Sequence, residues 1–321
     1  MKSRSVQLSV IIPSFNEQAN VGPLYRQLVS ELKKEQSLTY ELIYVNDGSG
    51  DGTAAEVLKL AKRDSNIRLI SFSRWFGKET ATTAGIRFAT GKALIMIDAD
   101  GQHPPELIHE FLKRWRDGAK VVIGVRKANQ KEGFIKRYGS KIFYRLFNAT
   151  SGITLVPGST DYRLIDRVVQ REFIQMTERH RITRGLIDWI GYRQEFVEFK
   201  AKPRMHGKAA YNVPRLISLF ANSFVSLSMA PLYALSIAGI AITAVAFIFG
   251  IFVFVEQLLL GDPMGLKVTG TGMLGILIVF LVGLLMISQG MVALYISRIH
   301  SETQNRPLYI IDEDLSLRLN D

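Results

Sequence analysis

The chain reads as an α/β domain built on a mostly parallel sheet, followed by an interfacial helix and two membrane-spanning helices. Three observations predict this. Short apolar runs alternate with helical stretches through roughly the first 125 residues, the rhythm of βαβ units. Polar, acidic clusters follow three of those runs. Two stretches of the last third, Leu216–Val255 and Val268–Ser297, hold no charged residue, and each exceeds the ~20 residues that cross a bilayer.

In chain order, Gln7–Ile12, Glu41–Asn46, Ile67–Ser71, Ala93–Asp98 and Val121–Val125 read as strands. Val21–Lys34, Thr53–Arg63, Thr80–Thr90 and Glu106–Asp117 read as the helices between and after them. The run Leu8–Ile12 ends at Pro13 and is too short for a secretory signal. Pro231 divides the first uncharged stretch. Before it, leucine, phenylalanine and valine mix with Ser218, Asn222, Ser223, Ser226 and Ser228, as in a helix lying in the membrane interface. Leu232–Val255 and Met273–Ser297 read as the two spans. The division expected is a catalytic domain at 1–214, an interfacial helix at 215–230, two spans with a short external loop at 231–298 and a tail at 299–321.

Arg193, Lys200, Lys202, Arg204, Lys208 and Arg215 precede the spans, and Arg298 and Arg306 follow them. The loop between carries only Lys267, against Glu256 and Asp262. The cations place both ends in the cytoplasm, giving a multi-pass protein of the plasma (inner) membrane. The tail beyond Arg306 is polar and expected to be loosely held. The net charge of +11 suits anionic lipid, phosphorylated substrates or nucleic acid. Nucleic acid ranks last, because the basic residues gather beside the membrane instead of lining an aromatic groove. With no cysteine in 321 residues, disulfides, zinc thiolates and cysteine nucleophiles are excluded.

In a sheet of this kind ligands bind beyond the carboxyl ends of the strands, and there the acidic clusters fall: Asn16–Glu17, Asp47–Gly52 and Asp98–Gln102. Repulsion among them calls for a cation. Asp98-Ala99-Asp100 can present two carboxylates to one hard divalent ion, Mg2+ or Mn2+, with Gln102 or His103 completing the shell. Such an ion suits the departure of a diphosphate. In Val45–Thr53, glycines at 48, 50 and 52 permit tight turns and close backbone approach, Thr53 can cap the next helix, and Asp47 can bind a base or ribose. A plain turn explains the same glycines. Gly124-Val125-Arg126 closes the fifth strand, and Lys136, Arg137, Ser140, Lys141 and Arg145 form a basic stretch able to meet a lipid phosphate or an anionic surface. His109, His180 and His300 have no partner at metal-ligand spacing.

Val10–Glu17, Val45–Thr53 and Asp98–Pro104 together resemble the signature of family 2 glycosyltransferases. The subgroup resembled is the polyprenyl-phosphate hexose transferases, which include dolichol-phosphate mannose synthase and the bacterial undecaprenyl-phosphate glucosyltransferases. The resemblance implies a GT-A fold and an inverting single displacement. It places Pro13, Phe15, Glu17 and Asp47 in the nucleotide pocket, with Lys78 near the donor. Asp98, Asp100 and Gln102 would hold the metal. Arg126, Lys136 and Ser140, with Arg137 beside them, would hold the acceptor phosphate. Asp161 would face the reaction centre as a base, or would position a lysine, an arginine or a sugar hydroxyl. Arg204, in the loop Arg204–Tyr211, would close over the diphosphate, although Ala209 and Ala210 stand where a serine and a lysine are common. Self-association, up to a tetramer, is implied as well.

The expected activity is transfer of glucose from UDP-glucose to undecaprenyl phosphate, yielding a lipid-linked sugar for envelope glycan such as O-antigen. GDP-mannose with a dolichol-type carrier is the alternative donor and acceptor pair. A processive synthase would need more spans and a Gln-x-x-Arg-Trp signature, a context that Trp189 lacks. A non-catalytic membrane scaffold would have no reason to keep Asp98 and Asp100.

Overall fold

The computed structural model describes residues 6–127, 156, 158–179, 181–202, 248, 251–252, 255 and 270–319. The chain divides into two compact units: Met1–Leu216 together with Arg306–Asp321, and Ile217–Asn305.

In the first unit the strands are β1 (Leu8–Ser14), β2 (Tyr40–Asn46), β3 (Ile67–Ser71), β4 (Ala93–Met96), β5 (Val121–Arg126), β6 (Ser159–Asp166) and β7 (Gln194–Phe199). They form one sheet in the order β3-β2-β1-β4-β6-β5-β7. Helices α1 (Gln18–Leu32), α2 (Thr53–Ala61), α3 (Lys78–Phe88), α4 (Ile108–Arg116), α5 (Arg167–Gln175) and α6 (Thr183–Ile190) cover it. Alternation along β1 explains the layers. Leu8, Val10 and Ile12 face one core with α1, α2 and α4, whereas Ile11 faces a second core with α3, α5 and α6. Burial on both faces is why β1 to β4 read as near-continuous apolar runs. Gly85 brings α3 close to β1: a Cβ there would lie 2.2 Å from Ile11 Cγ2.

All five expected strands and four expected helices are present, with two adjustments. Strand β4 ends at Met96, so Asp98 lies on the loop beyond it, and the expected helix Glu106–Asp117 opens as a 3₁₀ turn, Pro105–Leu107, before α4. The sheet is mixed. β1 to β4 are parallel neighbours and β7 is parallel to β5, but β6 runs antiparallel to both β4 and β5.

The tail is not loosely held. Leu69 and Leu317 exchange backbone hydrogen bonds, 3.2 and 2.8 Å, along the free edge of β3. Tyr309 stacks on Phe72 with ring centroids 5.0 Å apart. Beneath the tail, buried Arg68 pairs with buried Glu41 at 2.8 Å and donates to the carbonyls of Arg318 (2.8 Å) and Leu319 (3.0 Å). Burial pushes the Glu41 carboxyl up, but hydrogen bonds from Ser9, Arg68 and Thr90 outweigh it and leave its pKa below the ordinary glutamate value. A carboxylate depressed in the folded state stabilises the fold above its unfolded pKa, about 4.3, and loses that contribution as pH falls through the folded value. Unfolding free energy should therefore drop between about pH 5 and pH 3, and Glu41→Gln should flatten that slope in denaturant titrations.

In the second unit, α7 (Gly270–Thr303) is one helix of 34 residues. Among the described residues, no helix is long and apolar enough to cross a membrane; the backbone of α7 nevertheless runs unbroken through the whole second expected span. Leu274, Ile278, Leu281, Val282 and Leu285 on it are exposed. The interfacial segment and most of the first expected span lie outside the described residues.

Candidate active site

Strand order reverses between β1 and β4, the switch point at which α/β sheets bind ligands. The loops leaving β1, β2 and β4 meet at this edge. Asn16 takes a left-handed conformation, φ 55°, and ties the first loop to the second. Its amide donates to Ser49 Oγ (3.0 Å) and its side-chain oxygen accepts from the Gly50 amide (2.9 Å). Thr53 does not cap α2 as expected. It is the first helical residue, and Asp51 accepts its amide at 3.0 Å while Thr53 Oγ1 accepts the Glu17 amide at 2.9 Å.

Asp47 is nearly buried at the end of β2. Its two carboxylate oxygens accept the Phe76 and Gly77 amides at 2.7 and 2.9 Å, which fixes the loop that starts α3. Burial raises its pKa despite these bonds. Gly48, φ +64°, passes so close to this loop that a Cβ would lie 2.2 Å from the Arg74 carbonyl carbon. Asp47→Ala should leave two amides without acceptors, release Lys78 and lower kcat/KM for the expected nucleotide-sugar donor by about tenfold or more, as read by donor titration of initial rates.

Lys78 opens α3 and lies between two carboxylates. Its Nζ is 2.6 Å from Asp98 Oδ1 and 2.9 Å from Asp161 Oδ2. Burial opposes its charge, but the two acids outweigh that and raise its pKa above the ordinary lysine value. Burial likewise pushes Asp161 up, and Lys78, Arg184 and Arg163 overcome it and hold Asp161 well below the usual carboxylate range. The Lys78–Asp161 pair therefore stays ionised across neutral pH. Glu79, the next residue, accepts the Thr183 amide at 2.8 Å, and burial followed by the Asp161 charge raises its pKa.

Asp100 Oδ1 accepts the Gln102 amide at 3.0 Å, and Gly101 turns the loop at φ 75°. His103 faces inward: its Nδ1 accepts the Asp98 amide at 3.2 Å and its ring stacks on Tyr162 at 4.9 Å. Burial keeps its pKa below the ordinary histidine value. It therefore supports the Asp98 loop. Among the described residues no group of three His, Asp or Glu is arranged to hold a metal. Two carboxylates nevertheless suit a hard divalent cation, which Asp98 and Asp100 would hold, and the ammonium already against Asp98 marks that place as cation-attracting.

Pro13 is buried at the end of β1, and Phe15, 44% exposed, lies 6.3 Å from the ring of Trp75. Trp75 was not foreseen; the signal was an aromatic beside a strand end, between Arg74 and Phe76. Arg126, exposed at the end of β5, is tied through its amide to the Gly158 carbonyl at 2.8 Å. Lys136, Arg137, Ser140 and Arg204 lie outside the described residues. The chain leading to Arg204 is placed, since the Lys202 amide donates to the Gln102 carbonyl at 3.1 Å.

The model of Glycosyl transferase family 2 matches residues 9–173. The chain belongs to this family. A protein of Synechocystis sp. named an uncharacterized glycosyltransferase is 36% identical over 96% of each chain. The prophage bactoprenol glucosyl transferase homolog of Escherichia coli is 34% identical over 95% of this chain and 98% of its own length. The bactoprenol glucosyl transferase of Shigella phage SfII is 32% identical over 95% and 97%. Among solved structures, mannosyl-3-phosphoglycerate synthase from Rubrobacter xylanophilus superposes with a TM-score of 0.51 at 16% identity, covering 68% of this chain and 71% of that one. This likeness supports a GT-A-like fold. The expected membership in family 2 is thus established, and the enzyme is a glycosyltransferase.

Proposed function

We propose that this glycosyltransferase moves a hexose, with glucose from UDP-glucose the first candidate, onto undecaprenyl phosphate at the cytoplasmic face of the inner membrane. The observation that carries the reading is the meeting of Asp98, Lys78 and Asp161 at the switch-point edge, in a chain nearly coextensive with bactoprenol glucosyl transferases.

In this reading an oxygen of the acceptor phosphate bonds to the anomeric carbon, the bond from that carbon to the diphosphate breaks, and configuration inverts. The acceptor is already anionic at neutral pH, so no base is required. Asp161, which touches Lys78, acts by holding that ammonium beside the donor. Pro13, Phe15 and Glu17 line the nucleotide pocket, and Asp47 sets the loop carrying Lys78. Asp98 and Asp100, with Gln102, would hold a divalent cation, which when bound would supply charge neutralisation for the departing nucleoside diphosphate. Arg126, Lys136, Arg137 and Ser140 hold the lipid phosphate in line. Arg204 closes over the diphosphate; it follows Lys202, whose amide donates to the Gln102 carbonyl.

Two crossings between Leu232 and Ser297 agree with the packing of the tail. The catalytic unit takes in both Met1–Leu216 and Arg306–Asp321, which suits an even number of crossings between them. The 34 residues of α7 span about 50 Å, more than a bilayer core requires.

The donor is tested by offering the purified protein radiolabelled UDP-glucose, UDP-galactose, UDP-N-acetylglucosamine and GDP-mannose with undecaprenyl phosphate and Mn2+. Label from UDP-glucose alone in the lipid fraction supports the reading. Label from GDP-mannose alone replaces the donor.

A further inference from the structure

Lys78 and the proposed metal compete for one carboxylate. The ammonium is 2.6 Å from Asp98 Oδ1, a direct, charge-assisted contact. It is not anchored by Asp98 alone, because Asp161 lies 2.9 Å away on its other side. The start of α3 that carries it is fixed by the two Asp47 bonds to the preceding amides, and its side chain is 42% exposed. We infer that Lys78 is a resident counter-ion for the paired acids: in the nucleotide-free enzyme it screens Asp98 from Asp161, and it gives up Asp98, keeping Asp161, when a divalent cation arrives. This deepens the proposed function, since it rests on Asp98 being a metal ligand.

Two consequences follow, and the second separates this role from a purely structural one. Without the ammonium, Asp98 and Asp161 lose their shared counter-ion, so the metal-free protein should be less stable. Asp98 also becomes available, so the cation should bind more tightly. A purely structural lysine would give the first effect and not the second. The released ammonium would meanwhile lie beside the donor diphosphate, which ties cation uptake to donor binding without any further moving part.

The test uses the full chain in detergent without nucleotide, with free Mn2+ followed by electron paramagnetic resonance and melting followed by circular dichroism. Lys78→Gln should bind Mn2+ about two- to fivefold more tightly than wild type, the scale of losing one partly exposed ion-pair competitor. It should melt lower in EDTA and gain more from added Mn2+ than wild type does. Lys78→Arg keeps the charge and can grip Asp98 with two donors, so it should bind Mn2+ no more tightly than wild type. If Lys78→Gln does not fold, Lys78→Met, which also removes the charge, should show the tighter binding in its place, and equal binding by it overturns the inference. Equal or weaker Mn2+ binding by Lys78→Gln, or tighter binding by Lys78→Arg, overturns the inference. Asp98→Asn that binds Mn2+ like wild type instead overturns the metal assignment on which it rests.

Discussion

Asp98→Asn should lower sugar transfer by about 10²- to 10³-fold, the scale of removing one preorganised electrostatic contact to the reacting charge. The substitution keeps shape and removes charge. It would take away one of the two carboxylates proposed to hold the cation and one of the two that hold Lys78. The side chain is 27% exposed, so the ion pair contributes little to folding, about 0–1 kcal/mol. The loop itself is held by the Asp98 amide on His103, which the substitution leaves in place. The loss should therefore appear in kcat/KM for labelled lipid, with the melting temperature nearly unchanged. Asp100→Asn should behave in the same way. A normal rate in both variants would remove the acids from the chemistry.

Arg68→Ala should have the largest effect on stability, about 3–5 kcal/mol, because it leaves the buried Glu41 carboxylate without its cation. It also removes the donors to the carbonyls of Arg318 and Leu319, freeing the tail from the edge of β3. At about 2–4 °C per kcal/mol for a domain of this size, the melting temperature should fall by roughly 10 °C. Truncation after Arg306 should reproduce part of that loss, since Arg68 then lacks the tail carbonyls but keeps Glu41. Thermal melts of the three proteins separate the two contributions.

Much of the fold was legible because the parallel strands are buried on both faces. Val10–Ile12 and Leu42–Val45 have no solvent-facing positions, so their composition marks them as strands. β6 was not legible as a strand. Ser159, Thr160 and Asp161 open it with partly exposed polar residues, which read as a site motif only. The docked tail left a signal that went unused. Tyr309 and Ile311, then Leu317 and Leu319, repeat at a spacing of two and pack against the core of the first unit. Charged neighbours such as Asp312, Glu313 and Asp314 masked it.

The site was legible in part. Asp98 stood out because two acids one residue apart at a strand end need a reason. Lys78 and Asp161 were reached only through the resemblance, since 83 residues separate them and no local pattern says they touch. Asp47 was expected to bind a base or ribose, yet its carboxylate accepts the amides of Phe76 and Gly77. A carboxylate after a glycine-flanked turn cannot be assigned to ligand or to backbone from sequence, because both satisfy it equally. His103 was grouped with the metal residues by adjacency, and stacking on Tyr162, 59 positions later, turned it inward.

The most direct test follows labelled sugar from the nucleotide donor into the organic phase, with and without undecaprenyl phosphate, for wild type and Asp98→Asn. The account predicts an organic-soluble glycosyl phosphate that requires both the lipid phosphate and the Asp98 carboxylate. Sugar released into water, or lipid labelling that proceeds equally well without either, would contradict it.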